Sequence, residues 1–191
     1  MVIKSKSNQS LPCVRSWILI GIPVLFVIGS LMHFAYGWSG KQAIVGIFAP
    51  VNESVWEHLK LSFWPMLIWW IVGYFVCEKK CNVDLTQWVV SAVSAMVICP
   101  LFIVAFFYTY TGAFSIESLL LDILSFLLGI AIAQLFALHL YRYAKFNSAW
   151  LLVAVVILIL MLFAFIYFTF SPPHIPLFID PETGTYGIQP A

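Results

Sequence analysis

The 191-residue sequence is 63% hydrophobic and only 9% charged, with a formal net charge of +1. Globular domains carry about 25% charged residues, so this chain lacks the polar material to cover a water-facing surface. With no basic block it also lacks the electrostatic footprint of a nucleic-acid binder. Its 17% aromatic content, including eight Trp and eight Tyr, suits anchoring belts where a bilayer meets water.

Taken in chain order, five apolar runs approach the ~20 residues that a tilted helix needs to cross a bilayer. The first, about 16–35, follows a polar start with Lys4, Lys6 and Arg15. It is too long for a signal peptide and ends in no small-x-small cleavage site, so a retained helix is expected. The others run about 61–77, 87–110, 118–140 and 149–170. Helices are expected because an open strand would leave backbone groups unpaired in lipid. The predicted architecture is an all-α membrane protein, one bundle of five transmembrane helices over residues 1–191, with Pro/Gly-rich outer lid segments.

Cation placement sets the expected orientation. With the N-terminus inside, the inner segments hold Lys4, Lys6, Arg15, Lys79, Lys80, Arg142 and Lys145, and the outer ones only Lys41 and Lys60. That asymmetry predicts N-in and C-out. Cys13, Cys77 and Cys81 then fall on the inner side, where reduced thiols are the default. No internal repeat is visible, so an inverted-repeat transporter gains no support.

The ionisable groups gather at the opposite, outer end. FAPVNESVWEHLK, residues 48–60, crowds Asn52, Glu53, Glu57 and His58 between two apolar runs. Ser54-Val-Trp-Glu57 has the form of a capping box, and Asn52 is an alternative N-cap. His33 lies near the outer end of the first span. Asp122 lies one to two turns into the fourth, and an acid within a span is a functional candidate by default. Its plain structural role would be a hydrogen bond to Tyr108 or Tyr110. The tail SPPHIPLFIDPETGTYGI, residues 171–188, is too rich in Pro and Gly for a helix and too apolar to float free. It is expected to fold back over the outer mouth, bringing His174 and Asp180 toward His58 and Glu53.

HFAYGWSG (33–40), FAPVNESVWEHLK and PPHIPLFIDPETGTYGI (172–188) together resemble an uncharacterised family of small bacterial integral membrane proteins. The resemblance implies a bacterial cell-membrane location and no particular activity. NESVWEHL also resembles, as a chemical analogy, the glutamate-to-histidine motif of the CREST membrane hydrolases, and Ser30-Leu-Met-His33-Phe resembles their serine-to-histidine motif. Those proteins hold zinc with histidines and an aspartate in a seven-helix bundle. Here five spans are expected, the two motifs come in the opposite order, and the last helix has no H-x-x-x-H pair.

Two imidazoles from the spans and one from the tail suit zinc with one open position. The expected ligands are therefore His33, His58 and His174, with Glu53 or Asp122 as general base or orienting partner. Such a site would act on a lipid-like substrate at the outer interface. A non-catalytic accessory or sensing protein, and a carrier of a small molecule or ion, are the alternatives.

Overall fold

The computed structural model describes residues 6–188; Lys4, counted above, lies outside them. Among the described residues the chain is helical and contains no strand. It has α1 (Lys6–Met32), two single-turn helices α2 (Ala35–Trp38) and α3 (Ala43–Gly46), then α4 (Val55–Cys81), α5 (Leu85–Tyr108), α6 (Leu119–Tyr143) and α7 (Ser148–Phe170). Five segments are long and apolar enough to cross a membrane: Leu11–Met32, Val55–Cys81, Leu85–Ala113, Leu119–Tyr143 and Ser148–Phe170.

The second span departs most from expectation, starting at Val55 rather than near Leu61. Ser54 has extended backbone, and its Oγ accepts the Glu57 N–H at 3.3 Å, which starts the helix there. The polar residues up to Lys60 therefore belong to the helix rather than to a loop before it. Side chains also start α5 and α7, where Asp84 accepts the Gln87 N–H and Asn147 accepts those of Ala149 and Trp150. Each such cap stabilises its helix by about 1 kcal/mol. The π-helical turn Thr109–Ala113 continues α5 and carries buried Tyr110.

Helix α1 packs against α4 and α6, while α5 packs against α4, α6 and α7. Thus α1, α4, α5 and α6 close a ring, and α7 lies outside it. Only 11% of the most apolar window of α7 is buried, so its other faces are left uncovered by the rest of the chain. Lipid tails are as apolar as Leu, so such helices associate through close packing and interhelical hydrogen bonds. Both devices occur. Trp17 stacks on Trp69 with ring centroids 4.3 Å apart and approaches Gly73 where a Cβ would clash. Gln134, fully buried in α6, accepts the Trp70 Nε1–H at 3.1 Å and ties α6 to α4.

The tail folds back, as its apolar residues require, onto the ends of α4 and α7. Trp56 stacks between Phe165 and tail residue Phe178, with centroids at 5.0 and 4.7 Å. The Ile188 N–H donates to Thr169 O at 2.9 Å. Asn52 Nδ2–H donates to Gly187 O at 3.1 Å, so the 48–60 motif itself holds the end of the tail. Removing that hydrogen bond in Asn52→Ala is expected to cost about 1 kcal/mol of tail docking. Limited proteolysis within residues 171–188 should then accelerate about fivefold, with helical content by circular dichroism unchanged.

Candidate metal centre

The site forms beside a close contact between α1 and α4. A Cβ added to Gly29 would lie 2.6 Å from the backbone oxygen of Leu61 and 2.5 Å from Phe126 Cζ, so only a bare Cα fits. His33 follows one turn after Gly29, its N–H donating to Gly29 O at 3.2 Å. His58 precedes Leu61 by about one turn of α4. The glycine contact therefore sets the two imidazoles opposite each other, with His33 Nε2 and His58 Nε2 3.1 Å apart. Glu53, in the turn before α4, places Oε2 3.6 Å from His33 Nε2 and 3.3 Å from His58 Nε2.

The tautomer of His58 follows from its other nitrogen. Nδ1 lies 2.9 Å from the carbonyl oxygen of Ser54, which can only accept, so Nδ1 carries the proton. In the neutral ring Nε2 is then a bare lone pair turned toward His33 and Glu53. A backbone carbonyl on the far nitrogen is the usual way a metal-ligating histidine is oriented. His33 and then His58, whose imidazoles stand beside Glu53, hold its carboxyl well below the usual carboxylate range, against the opposing effect of burial. Glu53 is therefore an anionic donor beside two imidazoles.

These three atoms have the spacing of a coordination site. A tetrahedral centre with bonds of ~2.05 Å has ligand–ligand edges of ~3.3 Å, and the separations of 3.1, 3.3 and 3.6 Å bracket that value. An octahedral site with bonds of ~2.1 Å would have edges of ~3.0 Å, and the observed triangle is wider. Among the described residues, His33, Glu53 and His58 are the one group of three such side chains close enough to share an ion. Side-chain exposures of 32%, 43% and 31% leave the cluster reachable from outside.

Asp122 stands nearby on α6. Tyr110 Oη–H donates to its Oδ1. The sequence had offered Tyr108 or Tyr110 as partner, and the π-helical turn selects Tyr110.

The tail behaves differently from expectation. His174 is exposed, with its ring against Tyr186 at 4.5 Å, and it is not a member of the cluster. Asp180 is buried in its own turn, accepting the Glu182 N–H at 3.0 Å and the Thr183 hydroxyl at 2.6 Å. An antiparallel bridge between Ile179 and Tyr186 closes the tail on itself. Local turn bonds thus use the Asp180 carboxylate, the His174 ring packs on Tyr186, and the third position of the cluster falls to Glu53.

The capping box is formed by half. Ser54 Oγ accepts the Glu57 N–H, but the Ser54 N–H goes to Asn52 Oδ1 at 3.0 Å. Glu57 turns instead to the chain before α4. Its Oε2 accepts the Val51 N–H at 3.0 Å and meets Lys60 Nζ at 2.5 Å, while Lys60 also donates to Gly46 O at 2.7 Å. Lys60 is 0% and Glu57 2% exposed. In the sequence alone Lys60 reads only as an outer cation. The available signal was its position, three residues after Glu57 at the mouth of an apolar helix, where neither charge tolerates solitude.

Fold and cluster together define a class: a helical bundle with five membrane-length spans that carries a two-histidine, one-carboxylate group at one end. The chain belongs to a family of unknown function (DUF6512), which it matches over residues 6–188. No curated protein and no solved structure matches it.

Proposed function

We propose that this is a multi-pass cell-membrane protein with a metal centre, zinc in the first instance, at His33, His58 and Glu53, and that it hydrolyses a lipid-like substrate. The observation that carries the reading is the triangle of two Nε2 atoms and one Oε2 at tetrahedral spacing, with His58 oriented through Nδ1. Two imidazoles and a carboxylate are a donor set that zinc accepts with a fourth position open to water, whose pKa it lowers to about 7. Asp122, held by Tyr110, would be the candidate to accept a proton from a water bound there. Exposed Phe34, Trp38, Ile44 and Phe48 on the segments between α1 and α4 give the site an apolar rim, which favours a substrate presented by the bilayer. The excess of cations at the other end supports an extracytoplasmic site with the N-terminus inside.

Elemental analysis of the full chain, purified without chelator, is expected to find about one zinc per chain. His33→Ala and His58→Ala should lose it and His174→Ala should keep it. The same preparations, given a lipid amide or ester, should show hydrolysis that chelation abolishes. No stoichiometric metal in the unmutated protein would overturn the reading, and metal without hydrolysis would reduce it to a non-catalytic centre.

A further inference from the structure

A second site lies at the opposite end of the bundle. There α1 and α6 enclose a cleft of about 550 Å³, lined by Arg15, Ser16 and Arg142 together with Leu11, Leu19 and Leu138. Arg15 lies just inside the start of the first apolar span and Arg142 at the close of α6, so both guanidinium groups stand at the margin of the apolar layer. Neither is in an ion pair with a carboxylate among the described residues. The two acids at that end are occupied: Glu78 accepts the Val83 N–H at 2.5 Å and Asp84 the Gln87 N–H at 2.9 Å. The cleft thus combines two cations without a carboxylate partner, Arg142 lying 4.9 Å over the Tyr143 ring, with a hydroxyl and leucine walls.

We propose that this cleft binds an anionic phospholipid. Its phosphate lies between Arg15 and Arg142 with Ser16 as a further donor, and its acyl chains run along Leu19 and Leu138. Guanidinium donors match phosphate oxygens bidentately, and basic pockets between transmembrane helices hold acidic headgroups for this reason. The apolar walls commit the site to a lipid rather than to free phosphate, which would gain nothing from them. Its position, away from His33 and His58, makes it independent of the metal centre.

The test is native mass spectrometry of the full chain released from mixed micelles containing equal phosphatidylglycerol and phosphatidylcholine. The unmutated protein is expected to retain phosphatidylglycerol selectively. Arg15→Gln/Arg142→Gln should lower that preference about thirtyfold while leaving the thermal midpoint unchanged, because both side chains are exposed. Lys79→Gln/Lys80→Gln removes the same charge from the same end and should keep the preference. Equal retention of the two lipids, or an equal loss in the lysine variant, would overturn the proposal. So would displacement of the lipid by millimolar inorganic phosphate, which would mark a free-anion site.

Discussion

Lys60→Met is expected to destabilise the protein by about 3–5 kcal/mol, read as a large fall in the midpoint of thermal unfolding in detergent. Lys60 and Glu57 are almost wholly buried at the start of α4, with Nζ and Oε2 2.5 Å apart. Removing the ammonium leaves a carboxylate in an apolar setting, and its desolvation is no longer offset. The loop is affected as well, because Lys60 also holds Gly46 O and Glu57 the Val51 N–H. Glu57→Gln should cost less than Lys60→Met, since the amide still accepts both hydrogen bonds while losing its charge. Lys60→Met/Glu57→Met should recover most of the loss, because an apolar pair of similar volume replaces a buried ion pair at little net cost. If Lys60→Met unfolds with the unmutated protein, the pair is not ionic in the folded state.

Gly29→Val is the second large effect, and it separates the scaffold from the ligands. A Cβ at residue 29 meets Phe126 Cζ at 2.5 Å and Leu61 O at 2.6 Å. The phenyl ring can swing aside, but the carbonyl belongs to α4 and cannot. The expected outcome is separation of α1 from α4, at an overpacking cost of about 1–3 kcal/mol. His33 and His58 would remain in the sequence yet no longer face each other at 3.1 Å. Zinc affinity, measured by competition with a chromophoric chelator, should fall roughly 10–100-fold, the range seen when residues that orient ligands are removed. Gly37→Ala is the control. Nothing lies within 4 Å of an added Cβ there, so stability should stay within about 0.5 kcal/mol and metal affinity should not change. Equal metal binding in Gly29→Val would mean that the close contact does not position the imidazoles.

Both predictions rest on contacts between segments far apart in the chain, and this marks the boundary of what a one-dimensional reading can reach. The five apolar runs, the shortage of charge and the aromatic content were enough for a helical membrane-type bundle, because bilayer thickness and backbone hydrogen bonding leave few alternatives. Ser54 as the start of α4 and the turn around Asp180 were also legible, since caps and turns are made by neighbours in sequence. Polar residues at one end of the spans could be gathered into a candidate site, and His33, His58 and Glu53 were among them. That Glu53 rather than His174 stands with His33 and His58 could not be read. His174 and Asp180 had the right chemistry, but the tail's own turn bonds take Asp180 and the His174 ring packs on Tyr186. Glu53 entered the cluster because the capped start of α4 sets it beside His58, while the Gly29–Leu61 contact brings His33 across from α1. Lys60 was visible only as a charge, and its burial against Glu57 depends on the loop that folds over both. Periodicity and hydropathy act along the chain and survive in the sequence as written. Coordination geometry and ion pairing act across helix interfaces, where packing of a few ångströms decides which side chains share a ligand.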